Sequence, residues 1–163
     1  MIRRKIHHGF SLIELMISLA ILATLGALAA PMLGSNDALQ LDIARRLLVS
    51  DLEYAQILAI STPDDSISLV VDDTGAGWHI ARTSTPAIPL EDSTTNEALV
   101  TFFGQGAAIS APDIVIQSNM SENMISFNQN GGLVDFSQTA KITLLCGEST
   151  ASIQVSPTTG TIR

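Results

Sequence analysis

Cysteine, histidine and aromatic residues are scarce in this chain of 163 residues, and each scarcity removes a class of chemistry. There is one cysteine, Cys146. No disulfide can close within the chain, and no thiolate cluster can hold zinc. In the apolar run Ile142–Cys146 it reads as a buried strand residue. His7 and His8 stand near the N-terminus, which leaves only His79 in the body of the chain. One imidazole cannot supply a Ser-His-Asp triad or a histidine-rich metal site. Serines are plentiful but lack a nucleophile-elbow context. Asp64-Asp65 and Asp72-Asp73 do not follow the EF-hand spacing and read as turn residues. A non-enzymatic protein is expected, with no catalytic residue, no cofactor and no metal ligand.

Positive charge is also in short supply. The chain has 8 Lys and Arg against 16 Asp and Glu, a net charge of −8. After the first few residues the only cations are Arg45, Arg46, Arg82, Lys141 and Arg163. A nucleic-acid partner needs a basic face that displaces counterions from phosphates, so none is expected. The acidity suits a soluble exported surface, or a complement to basic partner subunits. Aromatics make up 4% of the chain, so Ile, Leu, Val and Ala must build the core.

What the sequence does have is one long apolar run. It extends from Phe10 to Leu33, 24 residues, and carries a single charge, Glu14. As a helix it would measure about 36 Å at 1.5 Å per residue, enough to cross a hydrocarbon core of about 30 Å with some tilt. Arg3, Arg4 and Lys5 precede it with no acid among them, which holds the N-terminus in the cytoplasm and sends the chain beyond Leu33 to the far side. A carboxylate deep in such a helix costs about 2.5–3.5 kcal/mol. A plain anchor would do better without it. A secretory signal ending at Ala27-Leu28-Ala29 would have too long an apolar core, and it too leaves Glu14 without a purpose.

The segment Gly9-Phe10-Ser11-Leu12-Ile13-Glu14-Leu15 resembles the N-terminus of type IV pilins and of the pseudopilins of type II secretion systems. The resemblance implies a leader of residues 1–9, cut between Gly9 and Phe10 by a membrane prepilin peptidase, with Phe10 then N-methylated. It implies a transmembrane and assembly helix over 10–33 and a periplasmic globular domain over 34–163. The implied location is the inner membrane, single-pass, then a periplasm-spanning pseudopilus. The implied partners are other pseudopilins or pilins, the inner-membrane assembly platform, and lipid through 10–33. Removal of Arg3, Arg4 and Lys5 with the leader would take the charge from −8 to −11. It also frees an amine on Phe10, about 6 Å along the helix from Glu14. The resemblance implies that this amine pairs with Glu14 of a neighbouring subunit, removing a penalty each charge would suffer alone. Pro31 matches a pilin proline where the helix can bend or melt during assembly, and Gly26 adds softness. Otherwise the first helix ends near Pro31, with Gly34–Asp37 capping the next.

Beyond this run, Leu39, Ile43, Leu47, Leu48, Leu52, Ala55 and Ala59 recur at helical spacing and predict an amphipathic helix over 37–61. Short β-rich runs come after Pro63. Residues 66–71 and 78–82 predict a hairpin around Asp72–Gly77, and polar residues 83–98 a surface loop. Further strands are predicted at 99–103, 113–117, 124–128, 133–136, 141–146, 151–155 and 161–162, with a hairpin cue at Asn130-Gly131. No helix is predicted after residue 61. The expected fold class is α+β, a pilin-like long N-terminal helix packed on an antiparallel sheet. Leu48, Asp51, Leu52, Ala55, Ala59 and Ile60, with Trp78, Ile125–Gly131 and Thr159–Arg163, resemble the H-type minor pseudopilins and their pilus relatives (GspH and FimT). Gln56 departs from the arginine usual there. The function implied is a structural minor pseudopilin subunit of a type II secretion system. A minor pilin that primes a type IV pilus, and a membrane-tethered periplasmic binding domain, are the alternatives.

Overall fold

The computed structural model describes residues 11–29 and 36–163. Two compact units result, a helix from the N-terminal segment and a domain over 36–163. The leader, Gly9, Phe10 and Pro31 lie outside the described residues.

Helix α1 spans Leu12–Ala29. It is apolar around its whole circumference, so it has no single face to lay on a core. The domain opens with α2, Asp37–Ser61, the helix predicted from periodicity. Leu41, Ala44, Leu48, Leu52, Ala55 and Ala59 are its buried apolar stripe, at steps of three and four. Three alanines in that stripe let the backbone approach the strands closely. Leu48 and Leu52 are fully buried, each stabilising the fold by about 1.5–3 kcal/mol. Asn36 stands at the N-cap, but its side chain makes no capping bond; Gly34 and Ser35 of the expected cap lie outside the described residues. At the other end Thr62 closes the helix with both its N–H and its hydroxyl on the Leu58 carbonyl, at 2.9 and 2.6 Å. Pro63 comes next and cannot continue the ladder.

Seven strands complete the domain: β1 Ile67–Val71, β2 Gly77–Arg82, β3 Val100–Phe102, β4 Val115–Ser118, β5 Met124–Phe127, β6 Ala140–Cys146 and β7 Ser149–Val155. They form two antiparallel sheets rather than the one expected, ordered β3-β2-β1-β5 and β4-β6-β7. α2 packs on β1, β6 and β7 and so covers inner strands of both. Between helix and sheets lies one core, with Leu69, Trp78, Ile80, Ile125, Phe127, Leu144 and Ile153 buried beside the helix stripe.

Three other expectations need correction. Residues 133–136 do not form a strand; only an isolated bridge joins Phe127 to Leu133. The Leu133 N–H donates to the Pro157 carbonyl instead, and Asp135 turns the chain by accepting the Ser137 N–H. At 161–162 a single bridge, Val155 to Ile162, replaces the short strand. Two single-turn 3-10 segments, Gly106–Ala108 and Ser121–Asn123, occur where no helix was expected.

Candidate processing and assembly segment

Of the predicted site residues, Glu14 alone lies among those described. It sits in the first turn of α1. Ser11 precedes the helix, and its hydroxyl accepts the Glu14 N–H at 3.2 Å. Ser11 is thus the N-cap, and Ser11–Glu14 has the S-x-x-E spacing of a capping box. The sequence carried this signal, which reading Glu14 for its charge alone passes over. The Glu14 carboxylate is exposed and has no hydrogen-bond or ion-pair partner among the described residues. It is aligned with the positive end of the helix dipole.

The remaining polar side chains of α1 are self-satisfied. Ser18 donates to the Glu14 carbonyl at 2.7 Å and Thr24 to the Ile21 carbonyl at 2.8 Å. Hydroxyls spent in this way cost little in an apolar surrounding. Around them Leu12, Ile13, Leu15, Met16, Ile17, Leu19, Ile21, Leu22 and Leu25 are each 53–79% exposed. A soluble monomer rarely shows apolar surface of this extent. Among the described residues no helix is long and apolar enough to cross a membrane. α1 has 18 residues, about 27 Å, while the hydrocarbon core is about 30 Å. The apolar run continues to Leu33, outside the described residues.

In the domain, the residues that carried the finer resemblance are brought together. Asp51 Oδ2 accepts the Trp78 Nε1–H at 2.8 Å and the Thr101 hydroxyl at 3.1 Å. Burial pushes the Asp51 carboxyl above its ordinary value, and these two hydrogen bonds draw it back in part. Leu48, Leu52, Ala55 and Ala59 are in the core, whereas Ile60 is 52% exposed. Gln56 Nε2 donates to the Gly131 carbonyl at 2.6 Å and the Gly160 carbonyl at 3.3 Å. It therefore clasps the Asn130-Gly131 turn and the C-terminal loop to α2. Cys146 is 1% exposed in β6. Burial, then the nearby Asp37 and Asp113 carboxylates, raises its thiol pKa; it stays protonated and inert. Asp65 is occupied by Arg82 at 3.5 Å and by the Ser84 hydroxyl, and Asp72 by Thr74.

Residues 4–30 match the prokaryotic N-terminal methylation motif. The described fold is similar to that of the Pseudomonas aeruginosa type IV minor pilin FimU, with a TM-score of 0.54 and 19% identity over 78% of this chain and 90% of that one. It is also similar to the minor pseudopilin EpsH of the Vibrio cholerae type 2 secretion system, with a TM-score of 0.50 and 10% identity over 76% of this chain and 94% of that one. The described fold is pilin-like. No curated protein matches it at the level of sequence. The pilin-like architecture explains why one exposed apolar helix and one independent α+β domain occur in the same chain. The domain closes its own core, while the apolar side chains of α1 remain exposed.

Proposed function

We propose that this chain is a structural, non-enzymatic minor subunit of a periplasm-spanning filament, the pseudopilus of a type II secretion system. In this reading it is made as a prepilin and inserted in the inner membrane. It is cut between Gly9 and Phe10, N-methylated on Phe10 and drawn by an assembly platform into a filament through residues 10–33. The observation that carries the reading is Glu14. It is a lone carboxylate at the start of an exposed apolar helix, with no ion-pair partner among the described residues. The freed amine of Phe10 on a neighbouring subunit is the charge that would neutralise it, and Pro31 would let the helix bend as it leaves the membrane. The likeness to FimU supports a second reading, a minor pilin that primes a type IV pilus; the assembly chemistry is the same in both.

Intact-mass and N-terminal analysis of the protein from membranes of a host with active prepilin peptidase tests this. The expected start is N-methylated Phe10, and Gly9→Ala slows or abolishes trimming. A start at Ala30, or a retained leader, overturns the reading in favour of ordinary export or anchoring.

A further inference from the structure

The four-stranded sheet has a second face, turned away from α2, that the core does not use. Val70 pairs with His79 on one side and with Met124 on the other. Directly paired residues share a face, so these three side chains form the floor of a trough. Phe102, opposite Gly77, extends the floor and is 42% exposed. The wall is the polar loop after β2. His79 Nε2–H donates to the Pro86 carbonyl at 2.7 Å, which fastens Pro86 and Ala87 beside the floor. The volume of this open trough is about 590 Å³, within the range of about 300–1,000 Å³ typical of ligand clefts.

The rim is of one sign. Asp72, Asp73 and Glu122 line it. The ion pairs among the described residues are Arg46–Asp42 and Arg82–Asp65, so none of these three carboxylates has an ion-pair partner among them. Asn123 donates to Asp73 at 3.3 Å and ties the Ser121–Asn123 turn to the β1–β2 turn. An apolar trough under unpaired carboxylates complements one kind of occupant and repels the opposite kind.

We propose that this trough docks a segment of another protein that presents an apolar side chain between Lys or Arg residues. The apolar side chain enters over Val70 and Met124, and the flanking cations meet Asp73 and Glu122. The inference does not depend on which filament the chain joins.

The test uses the full chain in neutral detergent and short fluorescent peptides that alternate lysine with leucine, with binding read by polarisation. The lysine peptides are expected to bind, and the same peptides with glutamate for lysine are not. Asp73→Asn combined with Glu122→Gln should weaken binding about fivefold, the effect of losing two exposed ion pairs. Ala87→Arg, a change at an exposed position, should abolish binding by filling the trough and placing a competing cation beside its carboxylates. Glu53→Gln combined with Glu148→Gln removes as much charge elsewhere and should change nothing. Equal loss in that control pair would reduce the effect to general acidity and overturn the proposal. So would binding of the glutamate peptides, or self-association of the chain that the groove variants abolish, which would make the occupant a second copy.

Discussion

Trp78 on β2 donates its indole N–H to Asp51 on α2 at 2.8 Å, and this bond joins the long helix to the four-stranded sheet. Trp78 is 1% exposed, so its N–H has no water to turn to if the acceptor is removed. Asp51→Ala is therefore expected to destabilise the domain by about 1–3 kcal/mol, the cost of a buried donor left unmet. Urea unfolding monitored by the fluorescence of the chain's single tryptophan measures it. A loss within error of zero would mean that the indole finds another partner.

The same carboxylate gives the domain a pH dependence of unusual sign. Burial raises Asp51 above the ordinary 3.8, so the folded state holds its proton to higher pH than the unfolded chain does. Stability contributed by this group is greatest below 3.8 and falls as pH rises through the folded pKa. Asp92, held down by the N–H groups of Thr94 and Thr95, acts in the opposite sense, and so does Asp135, held down by Ser137. Their contribution is present above the ordinary carboxylate range and is lost on acidification. Asp51→Asn keeps an oxygen for Trp78 and removes the titration. Its stability relative to wild type is expected to rise as the pH is raised from the ordinary carboxylate value of 3.8 through the folded pKa, and a fall over that range would show that ionised Asp51 is a net stabiliser.

Gly160 has φ +63°, and a Cβ there would strike the Gly131 carbonyl and Gln56. Gly160→Ala is expected to cost about 1–3 kcal/mol, from an unfavourable backbone conformation together with the displaced clasp. Gln56→Ala should cost less, about 0.5–1.5 kcal/mol, because water can take over the freed carbonyls. Thermal melts of the two variants establish the order, and a milder effect for Gly160→Ala would refute the clasp as drawn.

Local signals carried part of this fold and non-local ones the rest. The 41-44-48-52-55-59 stripe gives α2 directly, since its period is set within the helix. The β1–β2 hairpin is equally local, closed by Asp72 accepting the Gly75 N–H at 2.8 Å. The division into two sheets is not local. β1 pairs with β5, far along the chain, and β4 with β6, and neither alternation nor turn residues say which strand finds which. Residues 133–136 look like a strand because Leu133 is apolar and lies just after Asn130-Gly131. That reading fails because a distant loop, at Pro157, claims the Leu133 N–H. The trough on the outer sheet face depends in the same way on the fold bringing Glu122 beside Asp73. At the N-terminus the sequence shows more than its charge pattern, because S-x-x-E at Ser11–Glu14 also encodes the cap.

That double role makes Glu14 the residue on which the assembly proposal is best tested. Ser11 caps the helix through the Glu14 backbone N–H, so replacing the Glu14 side chain leaves the cap in place. Glu14→Leu is expected to leave membrane insertion intact or improved, since it removes a charge costing about 2.5–3.5 kcal/mol in the bilayer interior. The domain should fold unchanged, because it is a separate compact unit beginning at Asn36. What should fall is recovery of the protein in sheared filaments or cross-linked pseudopilus complexes, where the Phe10 amine of a neighbour loses its partner. Glu14→Gln should show a milder defect, because it keeps a hydrogen bond without the charge. The comparison of insertion with assembly separates the two roles open to this helix. If Glu14→Leu inserts and also assembles as well as wild type, no intersubunit ion pair is needed, and the helix is a tether for a periplasmic domain that works alone.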